Sequence, residues 1–162
     1  MDAPMTMARL VVREAFSDEI PEIVELDARV AGVKRPDFWL DLSQQRCPKR
    51  TPIIVVATIG GTIVGYAAGD LIALTVRMPT CGWIYAIGVA AEFREHKVAS
   101  ALMELMTDHF RTGGATSIRT AVDVDDHLLM SFLCSFGMTA GPVIDLEIKL
   151  EEERLTARSA TA

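Results

Sequence analysis

Residues 84–102 read IYAIGVAAEFREHKVASAL and join two different patterns. The first belongs to an apolar segment at 82–89, rich in branched and aromatic side chains, which predicts a β-strand. The second continues to residue 111 with apolar side chains at i, i+3, i+4, i+7, i+8 and i+12, which predicts one face of a helix. Because another strand is predicted at 117–124, the three elements form a parallel crossover, which is expected to be right-handed.

The segments on either side of this crossover extend it into one mixed sheet. The other predicted elements are a strand at 9–16, a helix closed by Gly32, a helix at 36–45, strands at 53–59 and 62–74 joined by Gly60-Gly61, a helix ending at Gly137 and a strand at 143–150. This order predicts an α/β (α+β) fold, a largely antiparallel sheet with a central parallel β-α-β crossover and helices on both faces. We expect one domain over 1–150 and a charged, disordered tail over 151–162.

The composition excludes several classes of protein. With 16 basic and 22 acidic residues the net charge is −6, so nucleic acid is not an expected partner. Apolar runs are shorter than the roughly 20 residues of a membrane span, and the first residues do not resemble a secretory signal, so we expect a cytoplasmic protein without a membrane partner. The cysteines and histidines have no metal-ligand spacing, so neither a metal nor a disulfide framework is expected.

The loop between the predicted strand and helix carries two cations, Arg94 and Lys97. A helix N-terminus is locally positive, so cations there are unfavourable unless an anion is bound. One interpretation is a phosphate held by the first-turn N–H groups with these two side chains beside it. The other is a solvated loop in which Glu92 and Glu95 pair with the cations. The residue types alone do not decide between the two.

Residues 84–102 resemble the acetyl-CoA-binding segment of the GNAT superfamily of N-acetyltransferases, and the order of elements agrees with that family. The family's loop has Arg or Gln, two residues, Gly, one residue, and Gly or Ala. Arg94 and Ala99 match this pattern, whereas Lys97 stands where the family has the Gly that lets the backbone approach the pyrophosphate. The resemblance implies acetyl-CoA as co-substrate, bound along a strand that splays after Gly88 and around the helix start, by Ile87, Gly88, Val89, Arg94, Glu95, His96, Lys97, Val98, Ala99 and Ser100.

Residues 126–138, DHLLMSFLCSFGM, are similar to a second segment of the family. In this alignment Asp126 takes the place of an Asn, and Leu133 the place of the Tyr that often protonates the departing CoA thiolate. The resemblance therefore places both residues at the cofactor, but it leaves the usual general acid absent. The neighbouring Cys134 is interpreted as a small apolar core thiol.

The general base of many family members is a Glu on the strand before the loop, and Tyr85 stands at that point here. A tyrosine, with its ordinary pKa near 10, is a poor base at neutral pH. Tyr85 could instead donate a proton or a hydrogen bond, while Asp123 or Asp70 could relay a proton through water. We take Tyr85 and Asp123 as the candidate catalytic residues.

The leading hypothesis is an acetyl-CoA-dependent N-acetyltransferase that acts on a small-molecule or peptide amine by direct transfer in a ternary complex. Phe38, Trp39 and Asp70 are candidates to line its acceptor pocket. The alternative is a non-catalytic GNAT-like module that binds CoA, acyl-CoA or another protein. An unrelated anion-binding α/β protein ranks third because the Gly-rich phosphate motifs are missing. Exposed apolar strand near the C-terminus could support a homodimer.

Overall fold

The computed structural model describes residues 9–44, 52–73 and 77–148, and the tail predicted at 151–162 lies outside them. The elements, in chain order, are β1 (Leu10–Glu14), α1 (Ile20–Ala31), α2 (Pro36–Gln44), β2 (Ile53–Ile59), β3 (Thr62–Ile72), β4 (Cys81–Val89), α3 (Val98–Thr112), β5 (Ile118–Arg119) and α4 (His127–Ser135). Short 3-10 turns at Ser17–Glu19 and Ala91–Phe93 precede α1 and α3. Among the helices of the described ranges, none has the length and apolarity needed to cross a bilayer.

The five strands form one sheet in the order β1-β2-β3-β4-β5. The first four pair antiparallel, and β4 pairs parallel with β5 through the α3 crossover, as the sequence predicts. The hairpin between β2 and β3 turns at Gly60 and Gly61, whose φ angles of 60° and 83° belong to the left-handed region that glycine adopts without strain. The predicted hairpin is therefore confirmed.

Helices cover both faces of this sheet, so the predicted layering is also confirmed. On one face, α3 buries an apolar stripe that includes Val98, Leu102, Met106 and Phe110 against β2, β3 and β4. On the opposite face, α1 and α2 pack on side chains of the same strands, with Trp39 and Tyr66 at the centre of that layer. We call these the α3 face and the α1/α2 face.

Glycines in β3 and β4 allow α3 to pack close to the sheet. A β-carbon at Gly69 would overlap the carbonyl oxygen of Trp83 and come within 2.8 Å of Phe110. A β-carbon at Gly82 would overlap the ring of Phe110, whose Cε2 would lie 2.8 Å away. The C-terminal part of α3 therefore packs close to β3 and β4 at these two glycines.

Two predicted strands are wrong in extent or existence. The strand predicted at 117–124 is reduced to Ile118–Arg119, because a hydrogen-bonded turn takes over in which Asp125 N donates to the Asp123 carboxylate. The strand predicted at 143–150 is absent over 143–148, and the rest lies outside the described residues. Its apolar side chains are exposed, and alternation alone cannot form a strand without a neighbour to pair with. The parallel pair consequently lies at the edge of the described sheet and not at its centre.

Candidate functional site

Within the described residues, protein groups pair with only the first half of the β4 edge that faces β5. Pairing with β5 covers Gly82 and Trp83, and one further contact joins the hydroxyl of Thr120 to the carbonyl of Ile84 at 3.0 Å. A β-bulge follows, since Ile84 pairs with Gly69 and Ala86 with Ala68, which leaves Tyr85 as the extra residue. The two parallel strands therefore separate where the bulge begins.

Beyond the bulge, the backbone of β4 alternates between its two edges. Ala90 N donates to Val64 O at 2.8 Å, and Gly88 pairs with Tyr66 in the same register, so these residues turn their polar groups towards β3. Ile87 and Val89 alternate with these residues and turn their backbone polar groups to the opposite edge. Among the described residues, β5 does not pair with this part of the edge. An extended ligand could add to this edge as a further strand would.

The start of α3 follows this edge after the 3-10 turn Ala91–Phe93 and presents its backbone N–H groups. Lys97 occupies the N-cap position, and within the described part of the chain no side chain caps the helix. The first-turn amides of Val98, Ala99 and Ser100 have no acceptor within the helix. The preceding residues Arg94 and His96 are exposed beside them, as is Glu95. A helix start of this kind, flanked by cations, suits an anion.

Lys97 is in the left-handed conformation, with φ 55° and ψ 21°. It has the only positive φ of a non-glycine residue in the described ranges. A glycine adopts these angles freely, whereas a β-carbon costs about 1–2 kcal/mol. The resemblance placed Lys97 at a glycine position of the family. Its backbone has the left-handed angles that glycine adopts, although the residue is a lysine.

This geometry gives a stability test with a matched pair of variants. Lys97→Gly and Lys97→Ala both remove the ammonium, but only the glycine removes the strained β-carbon. We expect Lys97→Gly to be more stable than Lys97→Ala by about 1 kcal/mol. Thermal unfolding of the two variants, at equal concentration and pH, measures the difference. Equal midpoints would mean that residue 97 is not held in the left-handed region in solution.

The predicted catalytic residues lie in different parts of the structure. Tyr85 is half-buried on the α1/α2 face, where its ring packs edge-on to Phe38 with centroids 6.4 Å apart. Asp123 is exposed in the turn after β5, and its carboxylate accepts from Asp125 N at 3.0 Å. Asp70 is fully buried on β3, paired with Trp83, and accepts from Leu71 N at 2.8 Å.

The residues predicted on the fourth helix serve its packing and its start. Asp126 caps α4 by accepting from Leu129 N at 3.0 Å. Leu133 is buried in the core of the α3 face, and its part in cofactor binding stays a prediction. Cys134 is exposed, so its interpretation as a core thiol is wrong, because the apolar stripe of this short helix turns Leu133 inward instead.

A buried carboxylate that the sequence analysis missed lies between α1, α2 and β3. Asp27 has no exposed surface and accepts hydrogen bonds from Arg35 (Nη2 2.7 Å, Nε 3.0 Å), from Trp39 Nε1 at 2.8 Å and from the Tyr66 hydroxyl at 2.6 Å. We call these four residues the Asp27 cluster. The signal was available in the sequence, because Asp27 continues the apolar stripe of α1 at i+7 after Ile20.

The electrostatics of the Asp27 cluster keep the carboxylate charged. Burial alone would raise the pKa of Asp27, but the hydrogen bonds from Arg35, Tyr66 and Trp39 outweigh it and lower the pKa below its ordinary value. Burial and the hydrogen bond to Asp27 raise the pKa of Tyr66 far above its ordinary value. Tyr66 therefore stays a neutral donor and Asp27 an anion, and Trp39 belongs to this cluster and not to an open pocket.

A cavity of about 580 Å³ opens between the beginning of α1 and the end of α2. The residues that line it are Ser17, Ile20, Pro21, Leu40, Ser43 and Gln44. These residues lie on α1, α2 and the turn before α1. None of them belongs to the open edge of β4 or to the start of α3. Within the described ranges, no three His, Cys, Asp or Glu side chains come together in a way that could hold a metal ion.

Comparison with known proteins relates this arrangement to one family. A model of the acetyltransferase (GNAT) family matches residues 17–138. No curated protein resembles the chain closely enough in sequence to count as a relative.

Solved structures share the fold at low sequence identity. The aminoglycoside N-acetyltransferase AAC(6')-Iy in complex with CoA is 12% identical, with a TM-score of 0.76, 91% of this chain and 98% of that chain being covered. The aminoglycoside 6'-N-acetyltransferase AAC(6')-Ih from Acinetobacter baumannii is 9% identical, with a TM-score of 0.72 and coverage of 88% and 100%. A transcriptional regulator from Bacillus halodurans C-125 is 17% identical, with a TM-score of 0.72 and coverage of 88% and 100%.

Proposed function

Because the chain belongs to the GNAT acetyltransferase family, we propose that it moves an acetyl group from acetyl-CoA to a primary amine by direct transfer in a ternary complex. The observation that carries the proposal is the open edge of β4 at Ile87 and Val89 together with the uncapped start of α3, which follows that edge after one 3-10 turn. One extended ligand with amides at one end and phosphates at the other fits this sequence of backbone groups. Acetyl-CoA has that form.

In this proposal the protein binds and orients, and the thioester supplies the activation. Ile87 and Val89 pair through their backbone with the pantetheine amides. The pyrophosphate lies on the amides of Val98, Ala99 and Ser100, and the other residues predicted at the cofactor surround it: Arg94, Glu95, His96 and Lys97. A backbone N–H of the open edge polarises the thioester carbonyl. The acceptor nitrogen then forms its bond to the carbonyl carbon as the carbon–sulfur bond breaks, and the released thiolate takes up a proton.

The roles of Tyr85 and Asp123 in proton transfer belong to the same proposal. Tyr85, next to the open edge, is proposed to hold the acceptor or the thioester by a hydrogen bond. Asp123 is proposed to pass the amine proton to solvent from its exposed turn. Leu133 has no titratable group, so the thiolate takes its proton from water. Positioning supplies most of the acceleration in such a mechanism.

The acceptor is proposed to be a small-molecule amine bound on the α1/α2 face, near Tyr85 and Phe38. The structural neighbours AAC(6')-Iy and AAC(6')-Ih are aminoglycoside N-acetyltransferases, which supports a small polyamine-like acceptor over a peptide. The net charge of −6 favours the approach of a cationic acceptor. A homodimer remains a prediction, which the exposed apolar side chains of residues 143–148 support.

The alternative is a non-catalytic module that binds CoA or acyl-CoA. The observation in its favour is Leu133, which is buried in the core where the family often has a proton-donating Tyr. Both hypotheses require the open edge and the helix start, and they differ only in turnover. Incubation with acetyl-CoA and a panel of amines distinguishes them, because the enzyme releases CoA in an amine-dependent manner and the module does not.

The binding step is tested by thermal unfolding with acetyl-CoA, CoA or ATP. A ligand at 100 times its dissociation constant adds about 2.7 kcal/mol of stability, so acetyl-CoA and CoA are expected to raise the melting midpoint and ATP to raise it much less. Arg94→Ala is expected to weaken CoA binding roughly threefold to tenfold, since one charge-assisted hydrogen bond is lost. Arg111→Ala, at the other end of α3 where Arg111 pairs with Asp108, is the matched control. No stabilisation by CoA at millimolar concentration would overturn the proposed function.

A further inference from the structure

We propose that Asp27 and Tyr66 are positioning residues for the cofactor-binding edge of β4. The Tyr66 ring fills the space left by the missing side chain of Gly88, and Asp27 holds that ring in place from α1. The inference rests on the proposed function, because it assigns to the Asp27 cluster the task of fixing the strand that would bind acetyl-CoA. Neither residue lies in the segments 84–102 and 126–138 that resemble the family.

Tyr66 contacts Gly88 across the sheet. The two residues pair directly across β3 and β4. A β-carbon at Gly88 would overlap the Tyr66 ring, with its Cε1 atom 2.8 Å away. The hydroxyl end of the Tyr66 ring therefore lies against the backbone of β4 at this residue. Gly88 stands between Ile87 and Val89, the two residues whose polar groups face the open edge.

Hydrogen bonding to Asp27 holds the Tyr66 ring in one orientation. Its hydroxyl donates to Asp27 Oδ1 at 2.6 Å, and both residues are almost completely buried. The carboxylate is itself fixed, because Arg35 and Trp39 donate to it from α2 or the residue before that helix. A buried charged group of this kind adds little stability compared with apolar side chains of similar volume, but its hydrogen bonds fix the orientation of the groups that it contacts. A phenylalanine at residue 66 would fill nearly the same volume, but no hydrogen bond would fix the orientation of its ring.

The Asp27 cluster contacts β4 beyond the residues that pair with β5. Among the described residues, β5 does not pair with β4 after the bulge, so the segment from Tyr85 to Val89 is held by β3 and by both helical layers, with Ile87 and Val89 on the α3 face and Tyr85 on the α1/α2 face. The Trp39 ring packs edge-on to Tyr66 with centroids 5.2 Å apart, and Phe38 packs against Tyr85. The Asp27 cluster thus contacts the segment at Gly88, and Phe38, the neighbour of Trp39, contacts it at Tyr85. A strand fixed before the ligand arrives loses less conformational entropy on binding.

The experiment replaces Tyr66 with phenylalanine and measures the dissociation constant of CoA by calorimetry, well below the melting midpoint of every variant. We expect Tyr66→Phe to weaken CoA binding about tenfold, an effect of the size of one directed hydrogen bond. Ile23→Val, which makes a small cavity in the same core and leaves every hydrogen bond of the Asp27 cluster in place, is the matched control and is expected to leave CoA binding unchanged. Equal effects of the two variants, or no effect of Tyr66→Phe, would overturn the inference.

A second measurement does not depend on CoA. In the unliganded protein, amide hydrogen exchange of the segment 85–90 is expected to become faster in Tyr66→Phe than in Ile23→Val, while exchange in β2 stays equal. If the wild-type protein fails to bind CoA, the proposed function is wrong, and this exchange comparison alone decides whether Tyr66 positions β4. If Tyr66→Phe does not fold, Asp27→Asn takes its place with the same two measurements and the same expected direction.

Discussion

Replacement of Asp27 with alanine is expected to destabilise the protein by about 3–5 kcal/mol, because removal of one member of a buried charged network leaves the others uncompensated. Arg35, Trp39 and Tyr66 would each lose the acceptor of a hydrogen bond at 3.0 Å or less. Domains have a total stability of roughly 5–15 kcal/mol, so this change removes a large part of it. Urea unfolding at neutral pH measures the effect as a lower midpoint at an unchanged slope.

The control for this prediction lies on the same helix. Glu25 is exposed and pairs with Lys34 at the surface, so Glu25→Ala is expected to change the free energy of unfolding by less than about 1 kcal/mol. A comparable loss from both variants would mean that Asp27 is not buried in solution.

The pH dependence gives a second check on Asp27. Its pKa is lowered in the folded protein, so its stabilising contribution is fully present above the ordinary pKa of about 4 and is lost as the pH falls towards the lower, folded-state value. The stability difference between the wild type and Asp27→Asn should therefore be larger at pH 7 than at pH 3. A difference that grows on acidification would contradict the lowered pKa.

The second large effect concerns the close approach of α3 to the sheet. Gly69→Ala is expected to destabilise by about 3 kcal/mol or more, because its methyl group would overlap the carbonyl oxygen of Trp83. A backbone atom of a paired strand cannot move aside as a side chain can. The free energy of unfolding in urea measures the cost, and a value near zero would mean that β3 and β4 are not in the described register.

Gly82→Ala provides the comparison for this prediction. Its methyl group would also overlap a neighbour, but here the neighbour is the side chain of Phe110. In the double variant with Phe110→Leu, the smaller side chain relieves the overlap at residue 82, so we expect the two effects to be less than additive. The same second substitution is expected to recover little of the cost of Gly69→Ala, because the Trp83 carbonyl remains.

Much of the fold could be predicted because its elements carry complete local signals. The stripe of α3, the Gly60-Gly61 turn and the apolar run of β2 each determine their own conformation, and the structure has all three. The strand predicted at 143–150 failed for a different reason. An alternating pattern specifies which face of a strand is apolar, but a strand also needs a partner for its backbone, and no short sequence window contains that information.

The candidate site was predictable only in part for a similar reason. The cation-rich helix start is local in sequence, so Arg94 and Lys97 could be found from the loop alone. Asp27 and Tyr66 are 39 residues apart, and their meeting depends on how α1 crosses the sheet. The Asp within an apolar helical stripe indicated that something polar must be buried there, but it could not indicate which donors would meet it.

The extra residue in β4 also has a consequence for how such a chain can change over evolutionary time. Before Tyr85, the even-numbered residues Gly82 and Ile84 turn their backbone towards β5, and after it the odd-numbered residues Ile87 and Val89 face that side. If the pairing before Tyr85 is kept, loss or gain of one residue here would turn the backbone groups of Ile87 and Val89 towards β3 and move the side chains that follow to the opposite face of the sheet. In homologous chains we therefore expect the number of residues between Ile84 and Val89 to be kept more strictly than their identity.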